Sequence, residues 1–81
     1  MLNKEEFDEL KFFARKVAEV HGPDHWEFIE INWIVEEIKE DNLENINFTK
    51  LRELSNNYQI PSGACNAQTT LLNLLKKLDN K

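Results

Sequence analysis

Apolar residues recur along most of this chain at the spacing of α-helices, with polar residues between them. The first stripe follows Asn3 and Glu6, which have the spacing of a capping box, and Leu2 and Phe7 stand at the staple positions. This pattern predicts a helix over residues 4–21. Its core face should consist of Phe7, Leu10, Ala14 and Val17, widened by Phe13 and Val20.

A second helix is predicted over residues 23–41, with Pro23 at its first position, where a missing N–H costs nothing. This helix is apolar on two sides. The broad side should face the core and comprises Phe28, Ile31, Ile34, Val35 and Ile38. The opposite side, here called the tryptophan stripe, comprises Trp26, Ile29 and Trp33. Since tryptophan is enriched at binding hot spots, we interpret the stripe as an interaction surface, with burial in the core as the alternative.

Two further helices complete the pattern. Residues 48–57 form a short third helix, which Asn47 should cap and which Asn56 and Asn57 can stop in left-handed geometry. Residues 66–79 form a fourth. Its apolar face is Leu71, Leu74, Leu75 and Leu78. Four helices with short connections and no strand pattern predict an all-α fold, a small up-down four-helix bundle, as one domain over residues 1–81.

Composition narrows the classes of partner and the cellular location. The formal net charge is −5 and the ten lysines and arginines form no stripe, which disfavours nucleic acid and anionic membrane surfaces as partners. No apolar run approaches the ~20 residues of a membrane-spanning helix, and the acidic opening segment does not resemble a signal peptide. With one cysteine an internal disulfide is excluded, and we expect a reducing, cytoplasmic location.

His21 and His25 are the candidates for a metal site, because a histidine pair four residues apart on one helix can chelate a metal. Gly22 and Pro23 lie between them, and we expect this junction to break the helix and to make the two rings diverge. The prediction is therefore that no metal or other cofactor is bound. The alternative is iron or zinc held by both histidines and nearby carboxylates, across a dimer if needed.

Cys65 is the candidate reactive thiol, because it precedes the fourth helix and a thiol at a helix N-terminus can be reactive. Neither a resolving cysteine nor a histidine partner is evident from the sequence. The alternative interpretation is a small buried residue that packs the turn against the core. Since no nucleophile motif or glycine-rich phosphate loop is present, we predict that the protein is not an enzyme.

Two segments carry a family resemblance. Residues 16–31 read "KVAEVHGPDHWEFIEI", and residues 51–79 contain "NNYQIPSGACN" before the last helix. The first resembles V-x-x-V-H-G-x-x-H-P-E-L-x-E-I, and the second resembles N-N-Y-x-x-P-x-x-A-C-N. Both patterns occur in the same order in the hemerythrin-like di-iron domain of iron–sulfur cluster repair proteins. The resemblance implies a four-helix bundle and a relation to the repair of iron–sulfur clusters.

The same resemblance implies that the metal centre has been lost. The family holds two irons through several histidines and two glutamates. His21 falls at a ligand position, whereas His25 matches a histidine that is not a usual ligand. A further ligand histidine would fall at about Asp41, and the motifs H-x-x-x-E and H-x-x-L-E have no counterpart. The resemblance therefore implies a shortened, non-catalytic interaction or accessory module that binds another protein or a second copy of itself.

Overall fold

The computed structural model describes residues 2–39 and 45–79, and its regular elements there are four α-helices without strands. The helices are α1 (Lys4–His21), α2 (Trp26–Glu36), α3 (Phe48–Ser55) and α4 (Asn66–Asp79). The predicted all-α class is confirmed, and the first and fourth helices have the predicted bounds. Within the described ranges, no helix combines the length and the apolar character needed to cross a membrane.

The start of α1 is fixed by the predicted capping box. The Asn3 side chain accepts the Glu6 N–H at 2.8 Å, and the Glu6 carboxylate accepts the Asn3 N–H at 3.1 Å. Leu2 and Phe7 are both buried, as expected for a hydrophobic staple. Glu6 also accepts a 2.6 Å hydrogen bond from Lys77 of α4. This bond, together with the Asn3 N–H, holds the pKa of Glu6 below its usual value.

The start of α2 was predicted wrongly, because the helix begins at Trp26 and not at Pro23. The N–H groups of Asp24 and His25 both donate to the His21 carbonyl, at 3.1 and 2.7 Å. Residues 22–24 therefore form a turn that closes α1. His25 has the non-helical angles φ −134° and ψ 80°, and its carbonyl accepts the first bond of the new helix, from Phe28 at 3.0 Å.

The end of α2 also differs from the prediction, since the helix stops at Glu36. Beyond it, Glu37 and Ile38 donate to carbonyls only three residues back, those of Ile34 and Val35. This tightening is common at helix C-termini. Residues 40 and 41, the last two of the predicted helix, lie outside the described residues.

The end of α3 shows how asparagine stops a helix. Asn47 caps its start by accepting the Lys50 N–H at 3.0 Å, as predicted. Asn56, Asn57 and Tyr58 follow with φ of 55°, 59° and 61°, all left-handed. The two asparagines thus stop the helix as predicted, but Asn56 is already outside it, so α3 is two residues shorter than expected.

A partly exposed cluster of hydrogen bonds, here called the anchor, then ties this turn to the end of α4. Asp79 accepts two 2.6 Å hydrogen bonds from Arg52 and one 2.8 Å bond from the Tyr58 hydroxyl. The pair with Asp79 raises the pKa of Arg52. Burial, and then the bond to Asp79, raises the pKa of Tyr58. The anchor thus joins α3 and the turn after it to the C-terminal end of α4.

The four helices pack as an up-down bundle around one core. α1 packs against both α2 and α4, and α2 packs against α3. The Lys77–Glu6 bond joins the end of α4 to the start of α1, so these two helices run antiparallel. Val20 is 63% exposed, so its assignment to the core face of α1 was wrong. The fully buried large side chains are Leu10, Val17, Ile31, Val35, Leu51, Leu71, Leu72 and Leu75.

Candidate functional site

The two histidines flank the turn between α1 and α2. Their ring centroids are 6.5 Å apart with a 53° tilt, so the expected divergence of the rings is wrong, although the helix is broken as predicted. The close approach has a backbone cause, since the His25 N–H donates to the His21 carbonyl. Gly22 permits this turn, because a Cβ there would lie 2.7 Å from the Ile29 side chain and would also meet the Ala18 carbonyl.

Cys65 lies against His21, a contact between residues 44 positions apart that the sequence analysis missed. The Cys65 Sγ is 3.5 Å from the His21 Nε2. Cys65 directly precedes α4, and its Sγ accepts the Gln68 N–H at 3.4 Å while its carbonyl accepts the Thr69 N–H at 2.9 Å. Cys65 is exposed, so the alternative of a buried packing residue is wrong.

A pocket of about 430 Å³ opens beside this thiol–imidazole contact. It lies where α1 ends and α4 begins, and the turn over residues 59–64 forms one wall. Gln68 is only 7% exposed and lines the pocket. The other polar groups in its wall are His21, His25, Glu27, Ser55, Asn56, Gln59 and Ser62. The pocket thus combines two imidazoles and one carboxylate with amide and hydroxyl groups, a set that can hydrogen-bond a small polar ligand.

The described residues do not supply the donors of a di-iron centre. No group of three His, Cys, Asp or Glu side chains within residues 2–39 and 45–79 is arranged to hold a metal ion. His21 pairs with Cys65, and His25 pairs with Glu27 at 3.5 Å. Asp41, where the resemblance would place a further ligand histidine, lies outside the described residues.

The tryptophan stripe lies at the surface. Trp26 and Trp33 are 61% and 55% exposed, and their rings meet edge to face at 6.3 Å. Ile29 is partly buried, because it packs over Gly22. The alternative that both tryptophans belong to the core is therefore wrong. The interpretation of the stripe as an interaction surface stays a prediction.

Charge around the stripe is uneven. Residues 24–37 contain no lysine or arginine and five acidic residues, Asp24, Glu27, Glu30, Glu36 and Glu37. The ten acidic residues in the rest of the chain equal the ten basic residues in number. The whole formal charge of −5 therefore belongs to the segment that carries the stripe.

Comparison with protein-family models, with curated proteins and with solved structures finds no match. The class defined by the structure is thus a small all-α four-helix bundle. The relation to the hemerythrin-like domain of iron–sulfur cluster repair proteins remains a prediction, resting on the two segments quoted above.

Proposed function

We propose that this protein is a non-catalytic interaction module whose tryptophan stripe binds a basic, partly apolar segment of another protein. The observation that carries the proposal is the exposure of Trp26 and Trp33, side by side on one helix face. Large aromatic side chains gain most from burial in an interface, because each contributes a large apolar area at low cost in side-chain entropy. Paired and exposed tryptophans are unfavourable in water, so their placement favours a contact role.

The charge of the surrounding segment favours a basic partner over a second copy of this chain. Two copies meeting at this face would bring together two segments with a formal charge of −5 each. Like charges oppose such a contact, whereas lysine or arginine side chains would be attracted to it. Arginine can also stack on the exposed tryptophan faces, which adds a cation–π interaction.

The resemblance to iron–sulfur cluster repair proteins supports an accessory role in the same process. In this proposal the bundle persists as a scaffold, and binding to a protein partner replaces metal chemistry. The alternative of an iron or zinc site at His21 and His25 has weaker support, since Glu27 pairs with His25 but no carboxylate within residues 2–39 and 45–79 forms an ion pair with His21.

Tryptophan fluorescence provides a direct test, because Trp26 and Trp33 are the only tryptophans. The probe is a helical peptide of lysine and leucine, compared with a peptide in which glutamate replaces lysine. We expect the basic peptide alone to shift the emission to shorter wavelength, with an affinity that falls as salt is added. Trp26→Ala and Trp33→Ala each leave one reporter and should weaken binding about thirtyfold, the cost of losing a hot-spot residue.

Matched variants separate the stripe from general attraction to an acidic protein. Ile60→Ala removes an exposed apolar side chain in the turn after α3 and should leave the affinity unchanged. Glu37→Gln should weaken binding more than Glu53→Gln on α3, although both remove one exposed negative charge. If the tryptophan variants lose no more affinity than Ile60→Ala, and Glu37→Gln loses no more than Glu53→Gln, the stripe is not the binding surface. A dimer seen by light scattering and dissociated by Trp33→Ala would instead make a second copy the partner.

A further inference from the structure

The surroundings of the Cys65 sulfur provide both a hydrogen-bond donor and a proton acceptor. The Gln68 N–H in the first turn of α4 donates to Sγ at 3.4 Å. Helix N-termini attract negative charge, so this end of α4 suits a sulfur that becomes anionic. The His21 Nε2, at 3.5 Å, is placed to accept the thiol proton. Because Cys65 is exposed, a dissolved reactant can reach it.

A second and independent feature, the Gln68 side chain, points to a ligand at this place. Gln68 is 7% exposed and lines the adjoining pocket of about 430 Å³. Within residues 2–39 and 45–79, its backbone N–H bonds Sγ, but its side-chain amide makes no hydrogen bond. Among the described residues the fully buried side-chain polar atom without a partner is Asn32 Oδ1, so the Gln68 amide is not sealed in the core and stays accessible from the pocket. A ligand that offers a donor and an acceptor inside the pocket would satisfy it.

We propose that Cys65 forms a mixed disulfide with a small, peptide-like thiol whose amide and carboxylate groups occupy this pocket. The chemical class follows from the wall of the pocket. Gln68 can exchange hydrogen bonds with an amide, and the Ser62 hydroxyl can donate to a carboxylate, whereas His25 is already paired with Glu27. The pocket volume suits a ligand of a few residues. This site is separate from the tryptophan stripe and does not depend on the function proposed for the stripe.

The reaction is a thiol–disulfide exchange with a low-molecular-weight disulfide as the oxidant. His21 accepts the Cys65 proton as Sγ attacks one sulfur of the disulfide. The new bond joins Sγ to that sulfur, and the old disulfide bond breaks with its electron pair on the second sulfur. This leaving thiolate takes the proton from His21. Cys65 is thereby oxidised, and one equivalent of the small thiol is released in reduced form.

The test compares two disulfide probes on the full chain, with intact-mass spectrometry as the readout. Oxidised glutathione carries amide and carboxylate groups, whereas hydroxyethyl disulfide carries neither. We expect oxidised glutathione to modify Cys65 faster in the folded protein than in the urea-unfolded chain. His21→Gln should slow both probes at least about tenfold, because the proton acceptor is lost. His25→Gln is the matched control and should not slow hydroxyethyl disulfide.

Gln68→Leu tests the pocket, because it keeps the backbone N–H that bonds Sγ and removes only the side-chain amide. We expect it to slow oxidised glutathione and to leave hydroxyethyl disulfide unchanged, with an unaltered helical circular dichroism spectrum. If folded Cys65 reacts no faster than the unfolded chain, or if His21→Gln leaves both rates unchanged, the nucleophilic site is refuted. If Gln68→Leu affects both probes equally or affects neither, recognition by the pocket is refuted.

Discussion

Replacing Tyr58 by phenylalanine tests the anchor at the end of α4 while keeping the ring that packs into the core. The variant loses one 2.8 Å hydrogen bond to the Asp79 carboxylate. A hydrogen bond to a charged group contributes about 1.5–3 kcal/mol. Asp79 keeps both bonds from Arg52, so we expect the low end, about 1.5 kcal/mol. For a domain of this size the midpoint of thermal unfolding should fall by roughly 6–12 °C.

The pH dependence of stability gives a sharper signature of the same bond. Tyr58 is the only tyrosine, so the absorbance of the phenolate reports on this residue alone. Burial and the bond to Asp79 raise the pKa of Tyr58 in the folded protein, whereas in the unfolded chain the phenol ionises near pH ~10. The contribution to stability is therefore complete below about pH 10 and is lost above it, by about 1.4 kcal/mol per pH unit.

The assay follows phenolate absorbance and helical circular dichroism together as the pH is raised. We expect Tyr58 to stay protonated above pH ~10 and to ionise only as the helices unfold. Tyr58→Phe should remove this step from the pH dependence of urea unfolding, leaving only the part due to other groups. Ionisation near pH ~10 with full helical signal would refute the proposed environment of the phenol. If the free energy of unfolding falls equally steeply with pH in the natural protein and in Tyr58→Phe above that pH, the link between Tyr58 ionisation and stability is refuted.

Three further predictions concern stability and can share one urea-unfolding assay. The buried Asn32 Oδ1 has no hydrogen-bond partner among the described residues, so Asn32→Leu should stabilise by about 1 kcal/mol; a loss would contradict this. Asn57 has φ 59°, so Asn57→Ala should destabilise by about 1 kcal/mol while Asn57→Gly changes little. Because the pKa of Glu6 is lowered in the folded protein, its bond to Lys77 stabilises the fold above the usual carboxyl pKa and is lost as the pH falls. The free energy of unfolding of Lys77→Gln should therefore differ most from that of the natural protein near neutral pH. A difference that persists in acid would refute this.

Local signals in the sequence were sufficient to predict the fold. The capping box at Asn3, the cap at Asn47 and the stop at Asn56 each depend on side chains within three residues of the helix end. Such signals act over a single turn, so a sequence read in order contains them completely. The apolar stripes of α1 and α4 predicted which side of each helix faces the core, and Val20 was the one wrong assignment in α1. Val20 lies near the end of α1, beyond the residues that pack in the core, and helical spacing alone does not show where that packing stops.

The second helix shows where local signals compete. Pro23 favours the first position of a helix, but the carbonyl of His21 takes the N–H groups of both Asp24 and His25. The turn therefore belongs to α1, and α2 starts three residues later. Both outcomes are compatible with the same residues, since proline fits either a turn or a first helical position. The turn that forms brings the Ile29 side chain of α2 over Gly22, a contact between the two helices that local sequence signals do not contain.

The sequence identified Cys65 and His21 separately as candidate site residues, but it did not show that they are in contact. Cys65 could be placed before a helix from local pattern alone, and His21 could be placed at a helix end. Their 3.5 Å contact exists because α1 and α4 pack antiparallel, which brings the end of one helix to the start of the other. An up-down topology requires the ends of its first and fourth helices to meet in this way. A bundle prediction therefore contains such pairs implicitly, and listing the polar residues at each end of the bundle would have found this one.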